Sequence, residues 1–352
     1  MFLTLSLDKL LKHCQERHAS DLHLSVGLPP MARINGEIIA LPFDNLDQET
    51  CQTLVYSALN TDQIVKFEKD WELDFSFTLK EIGRFRVNIF KERNYTEASF
   101  RIVSPEVLSI TQLGLPEAAL EIVRRPNGLV LVTGPTGSGK TTTLNSMVDQ
   151  INQERRCRII TVEDPIEYLH QHKKSVILQR EVYSDTHSFN IALRHVLRQD
   201  PDIIVVGEMR DLETISTAIT AAETGHLVIT TLHTNDSQQT IDRIVDVFPP
   251  HQQDQIRVQL ASSLQGIVCQ QLLPNVEKKG RVLAYEILIA TPAVRRLIRE
   301  NKLSQIDTFI QTGSEHGMIS MDKCLKDLYQ KGIISYDVAL SKVKNPTAFK
   351  EI

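Results

Sequence analysis

The sequence predicts two domains of different class, an α+β domain followed by a parallel α/β domain. Three observations predict this. Much of the first hundred residues alternates polar and apolar side chains, the mark of half-buried strands. Beyond them the strands become continuous apolar runs, as in sheets covered on both faces. Helical stripes separate those later runs, which is the pattern of a parallel sheet with crossover helices.

The 352 residues are enough for two cores without disulfide or metal staples. Hydrophobic residues make up 41% and charged residues 24%, an ordinary globular mix. Net charge is −5. Residues 1–104 carry 12 Lys and Arg against 15 Asp and Glu, and the remainder 27 against 29. Neither part is basic, so no large nucleic-acid footprint is expected. The five cysteines, 14, 51, 157, 269 and 324, form no CxxC pair. That argues against a zinc knuckle and fits reduced thiols in a cytoplasmic protein. No segment reaches the ~20 apolar residues of a membrane span. The N-terminus lacks a positively charged start and reads as an amphipathic helix through Leu3, Leu7, Leu10, Leu11 and Cys14 rather than a signal peptide.

In the first domain Asp21–Ser25 alternates as a strand, and Gly27–Pro30 is a turn. Met31–Gly36 followed by Glu37–Ala40 predicts a hairpin around Asn35-Gly36. Leu73–Leu79, Arg84–Phe90 and Ser99–Val103 complete a mostly antiparallel sheet. Ser104-Pro105 ends the pattern. The expected boundaries are therefore a first domain at 1–104, a linker at 105–116 and a second domain at 117–352.

The second domain opens with a helix from Glu117 to Arg125. Gly128–Thr133, Arg158–Val162, Asp202–Val206 and Leu227–Thr231 are its apolar strands. Leu144, Met147, Val148 and Ile151 make one helical stripe. Ile215, Ala218, Ile219 and Ala222 make another, closed by Gly225. From Ser304 the chain reads as mostly helical.

Between the first of these strands and its helix stands Gly134-Pro135-Thr136-Gly137-Ser138-Gly139-Lys140-Thr141-Thr142. Gly-x-x-x-x-Gly-Lys-Thr is the P-loop pattern, here after a buried strand and before a helix, as it must be. Its glycines let backbone N–H groups curl round phosphates, and the helix aims its positive end at them. Lys140 would neutralise the β- and γ-phosphates, and Thr141 would offer its hydroxyl to Mg²⁺. These residues call for ATP and Mg²⁺ as cofactors.

Asp200–Glu208 is an apolar strand ending in a carboxylate, expected beside the P-loop strand. Glu208 there would hold Mg²⁺ through water or orient the attacking water. Thr161–Glu167 places Glu163, Asp164 and Glu167 where another strand ends, the position where open α/β sheets bind ligands. Spacing does not decide which of them acts on water. His226 and His233 flank the strand Leu227–Thr231. A lone histidine is more often structural; two at the ends of one strand are also candidates for sensing the γ-phosphate. Arg84, Arg86 and Arg101 lie on first-domain strands. They are either solvent-facing strand charges or arginine fingers for the ATP phosphates, in cis or from a neighbouring subunit. Thr291-Pro292 starts a helix whose Val294, Leu297 and Ile298 form an apolar stripe beside Arg295, Arg296 and Arg299.

These motifs together resemble the secretion ATPases of type II secretion and type IV pili, over nearly the whole chain. The family's opening Ser-Asp-Leu-His stands at Ser20–His23. Its Walker A motif is at 134–141, its Asp box at Thr161–Glu167 and its Walker B at Asp200–Glu208, continued by Met209-Arg210-Asp211. Its His box runs from Glu223 through His226 to His233. Within the family the chain is most similar to the pilus retraction ATPases. Their Ala-Ile-Arg-Asn-Leu-Ile-Arg-Glu motif appears as Ala293–Glu300, departing at Val294 and Arg296. The extra N-terminal domain and tetracysteine zinc site usual in extension and secretion ATPases have no place in this sequence.

The resemblance implies a PAS-like α+β N-terminal domain followed by a RecA-like P-loop ATPase domain with a helical C-terminal part. It further implies ATP bound between the domains and a homohexameric ring. Such a ring would work in the cytoplasm at the inner-membrane base of the pilus, on a pilus platform protein (PilC-like), with no nucleic-acid partner and no membrane insertion. The function implied is ATP-driven pilus retraction and twitching motility. The alternatives are a pilus-assembly or type II secretion ATPase, a retraction accessory paralogue, a nucleotide switch with negligible turnover, or a RecA-fold helicase.

Overall fold

The computed structural model describes residues 5–34, 36–79, 82–103, 107–277, 280–344 and 346. Leu3, the hairpin residue Asn35 and the Ser104-Pro105 boundary lie outside them. The chain divides into two compact units, the first comprising Met1–Glu106 with Pro165–Leu169, the second Val107–Asp164 with His170–Ile352.

The first unit begins with α1 (Leu7–Glu16), whose Leu7, Leu10, Leu11 and Cys14 are buried as the helical spacing requires. Ser6 caps it by accepting from the Lys9 amide. Next come β1 (Asp21–Leu24), β2 (Met31–Ile34), β3 (Glu37–Ala40), α2 (Gln48–Tyr56) and α3 (Thr61–Asp70). The unit's last strands are β4 (Glu72–Leu79), β5 (Gly83–Glu92) and β6 (Tyr95–Ile102). The six strands form one sheet in the order β3-β2-β1-β6-β5-β4, with every neighbouring pair antiparallel. Leu22, Leu24, Phe85, Val87, Ile89 and Phe100 face a core shared with α1, α2 and α3. This is the α+β domain that the alternation predicts.

The second unit begins with α4 (Glu117–Val123), β7 (Gly128–Thr133), α5 (Lys140–Glu154), β8 (Arg158–Glu163), β9 (Val176–Glu181) and α6 (Phe189–Val196). It continues through β10 (Ile203–Val206), α7 (Leu212–Glu223), β11 (Leu227–Leu232), α8 (Ser237–Asp246) and α9 (Pro250–Ser263). A long hairpin, β12 (Leu264–Pro274) and β13 (Arg281–Ile289), follows, and then α10 (Pro292–Arg299), α11 (Ile306–Thr312), α12 (Met321–Gln330) and α13 (Tyr336–Leu340). The sheet order is β13-β12-β7-β11-β10-β8-β9. All neighbours are parallel except the β12–β13 hairpin.

Every residue of β7, β10 and β11 is buried. Alternation within β7 sends Leu129 and Leu131 into one core with α6 to α10, and Val130 and Val132 into another with α4 and α5. Each such side chain contributes roughly 1.5–3 kcal/mol on burial, so the strands that carry the loops described next are rigidly held. The sheet differs from the sequence expectation in two respects: β9 and the antiparallel β12–β13 hairpin add three strands to the four expected, and β11 lies between β7 and β10. The Walker B strand is therefore not the immediate neighbour of the P-loop strand. Apolar runs mark strands but carry no information about their order. Among the described residues no helix is long and apolar enough to cross a membrane.

Candidate active site

The loop from Gly134 to Gly139 joins β7 to α5 at the carboxyl end of the parallel strands. Gly134, Gly137 and Gly139 have φ of +149°, +75° and +87°, conformations that favour glycine. A Cβ on Gly134 would stand 2.2 Å from the Gln270 carbonyl oxygen and 2.5 Å from Ser138 Oγ. No side chain caps the N-terminus of α5. Its first amides and the positive end of its dipole thus face the loop, the arrangement that receives a phosphate.

Lys140 Nζ donates to the carbonyls of Gly134 at 2.8 Å and Pro135 at 3.0 Å, and lies 3.5 Å from His233 Nδ1. Burial pulls its pKa down, and Glu208 acts against that. Ser138 is buried, while Thr141 and Thr142 are partly exposed at the start of the helix.

Glu208 follows β10 by two residues. Its backbone is fixed from both sides: Gly207 N donates to Val162 O at 2.8 Å, and Thr231 Oγ1 donates to Gly207 O at 2.6 Å. Arg210 grips its carboxylate with both ends of the guanidinium, Nε to Oε1 at 2.7 Å and a terminal nitrogen to Oε2 at 2.8 Å. His233 Nε2 is 3.3 Å from Oε1. Burial pushes the Glu208 pKa up, but Arg210, His233 and Lys140 together outweigh it and hold the carboxyl below its ordinary value. Glu208 is therefore a carboxylate at neutral pH, close enough to the P-loop lysine for the two charges to influence each other.

Glu163 ends β8, buried, and accepts from Thr161 Oγ1 at 2.6 Å and Gln179 Nε2 at 3.0 Å. Val162 is paired in register with Val206, so the ends of β8 and β10 lie side by side and Glu163 belongs to the same edge as Glu208. Glu167 lies in the segment Pro165–Leu169, which packs with the first unit.

The histidines separate. His233 follows the carboxyl end of β11 and joins Lys140 and Glu208. His226 precedes the strand, where its carbonyl accepts from Gly128 N at the start of β7 and its Nδ1 lies 3.0 Å from Ala221 O. Six strand residues divide the two, about 20 Å. The expectation that both sense the γ-phosphate of one site is thus corrected: in a parallel strand the two ends face opposite edges of the sheet, and this chain brings only His233 to its P-loop.

In the first unit Arg84 and Arg86 are two apart on β5, Arg86 pairs with Arg101, and Arg101 pairs with Asp21. Register therefore puts all three arginines on one face. Asp21, buried, binds Arg101 Nε at 2.9 Å. Arg84 Nε donates to Ile166 O at 3.0 Å, and Arg86 is exposed.

One contributor to the P-loop carries no motif in the sequence, and one arginine named there takes a different place. Gln270, buried on β12, donates from Nε2 to the Ser138 carbonyl at 2.8 Å, and its own carbonyl closes the space at Gly134. The signal was a polar residue inside the apolar run from Ile267. Arg295 is not part of the basic flank: its guanidinium donates to the carbonyls of Ala290, Ala261 and Ser262, closing the end of α9.

A glycine cradle, a lysine, an ionised strand-end glutamate and a histidine converge at the carboxyl edge of a parallel sheet, which defines a P-loop ATPase. The sequence matches the model of the type II/IV secretion system protein family over residues 66–326, and the chain belongs to that family. It is 48% identical to the type IV pilus retraction ATPase PilT of Pseudomonas aeruginosa, over 98% of this chain and 100% of that protein. It is 47% identical to a twitching motility protein of Neisseria gonorrhoeae, over 90% of this chain and 84% of the relative. The crystal structure of the pilus retraction motor PilT with bound ADP superposes with a TM-score of 0.94 at 48% identity, covering 99% of this chain and 100% of the other.

Proposed function

We propose that this protein is the ATP-hydrolysing motor that retracts type IV pili. The observation that carries the reading is full-length similarity at 48% identity to a pilus retraction ATPase, supported by the P-loop geometry of this chain.

In this reading the amides of 134–141 and the Lys140 ammonium bind the ATP phosphates. Bound Mg²⁺ would supply charge neutralisation at the β- and γ-phosphates. Among the described residues no group of three or more His, Cys, Asp or Glu is arranged to hold a metal. The donor set is a hydroxyl and a carboxylate, Thr141 and Glu208, which suits a cation that keeps several waters and arrives with phosphate. Glu208, held as a carboxylate by Arg210, orients the attacking water, with Glu163 or Glu167 assisting. His233 reports the γ-phosphate to Glu208. Arg84, Arg86 and Arg101 act as arginine fingers from a first domain, of the same chain or a neighbouring subunit. The working form is a homohexamer at the cytoplasmic base of the pilus, acting on the inner-membrane platform protein.

Deleting the gene and counting surface pili tests the proposal. Retraction predicts surplus pili and lost twitching, restored by the wild-type gene and not by Glu208→Gln. Loss of assembled pili would instead identify an assembly or secretion motor.

A further inference from the structure

After Glu163 and Asp164 the chain leaves the second unit for Pro165–Leu169 and returns at His170. The return is fastened to one face of the P-loop helix. Asn145, Asp149 and Asn152 are spaced so that they share that face of α5. Asn152 Oδ1 accepts from the amides of Lys173 at 3.1 Å and Ser175 at 3.3 Å, and its Nδ2 donates to Gln171 O at 2.8 Å. Asp149 binds Lys173 Nζ at 2.7 Å.

The innermost fastening is His170, whose side chain is fully buried. Its Nε2 is 2.7 Å from Asn145 Oδ1, while Asn145 Nδ2 donates to Thr141 O at 2.9 Å. These bonds have one direction. The Asn145 amide spends a proton on Thr141, so its oxygen must accept, and His170 Nε2 must carry the hydrogen. Nδ1 then bears a lone pair and faces Asp149 Oδ1 at 4.0 Å, beyond hydrogen-bond range. A neutral ring is what burial dictates, pushing the imidazole down to about 4.

We propose that His170 is a positioning residue: through Asn145 it holds the first turn of α5, and with it Thr141, in register with the strap that starts at Glu163. The proposal rests on the ATPase reading of the same site. Its physical content is that two strand-end loops, which supply different parts of the site, are locked together by one hydrogen-bond relay. Catalytic geometry is sensitive to shifts of about 1 Å.

The test is steady-state ATP hydrolysis by the purified full-length protein. His170→Ala should lower kcat about tenfold or more with KM changed less than about twofold, as expected for an interaction that serves the transition state. Asn145→Ala should behave alike, and the double variant should be no slower than either single one, because the two act through one relay. His170→Gln places an amide N–H near the Nε2 position and should restore most of kcat; His170→Asn, which reaches only to Nδ1, should not. Thermal melts of all variants check folding, and the Gln and Asn comparison decides if His170→Ala does not fold. Equal rates for Gln and Asn variants, or multiplying losses in the double variant, would overturn the relay. A wild type without turnover would sink the ATPase reading as well, whereas an active wild type with an equally active His170→Ala would sink this proposal alone.

Discussion

His233 Nε2 stands 3.3 Å from Glu208 Oε1 while its Nδ1 lies 3.5 Å from the Lys140 ammonium. An ammonium has no lone pair, so Nδ1 accepts and Nε2 carries the hydrogen toward the glutamate. The ring thus bridges the residue proposed to bind phosphate and the residue proposed to orient water.

Glu208→Gln keeps the size of the side chain and removes its charge. ATP should still bind, while turnover falls by at least about a hundredfold. His233→Ala should lower kcat by a smaller factor, roughly tenfold, with nucleotide affinity little changed. Phosphate release and equilibrium binding measured on both variants check this.

Gly134→Ala should damage the cradle itself. The new methyl would meet backbone at 2.2 Å in a strand-loop junction with φ of +149°, a strain of about 2 kcal/mol or more. A lower unfolding midpoint together with lost nucleotide binding is expected. A wild-type midpoint would mean the loop is not packed against Gln270 as described.

Arg295→Ala should destabilise the protein by roughly 2 kcal/mol, since it strips charged donors from the partly buried carbonyls of Ala261 and Ala290. Arg296→Ala removes an exposed pair with Glu300 and should leave the unfolding midpoint nearly unchanged. Denaturant unfolding of the two variants separates a structural arginine from a surface one.

His170 also gives the protein an acid sensitivity. Its folded-state pKa is about 4 against an ordinary 6.5, lowered mainly by burial, raised by Asp149 and lowered by Lys173. Above pH 6.5 the ring is neutral folded or unfolded and contributes nothing. Between 6.5 and 4 the unfolded chain takes up a proton that the folded one refuses. Stability therefore falls with pH by up to about 1.4 kcal/mol per unit, about 3 in all. In His170→Gln the unfolding midpoint should fall less steeply across this window than in wild type.

Elements whose local chemistry marks them were legible: period-two alternation for β4 and β5, unbroken apolar runs for β7, β10 and β11, whereas β9 and the β12–β13 hairpin were not read from the sequence. The P-loop was legible because Gly134–Thr141 is a local solution to wrapping a phosphate. What stayed hidden depends on strand order and on distant side chains. Nothing in Leu227–Leu232 tells that β11 inserts beside β7, nor which of His226 and His233 meets Lys140 until the strand's direction is known. Gln270 and His170 act across 132 and 25 residues of sequence, and no spacing rule spans such gaps.

Equilibrium binding of Mg²⁺·ATP to Lys140→Ala, beside the unmodified protein, is the most direct test of the phosphate cradle on which every other role depends. The account predicts affinity weakened by roughly a hundredfold, the scale of about 3 kcal/mol for a lost charge-assisted contact. Equal uptake of nucleotide by both proteins would contradict it.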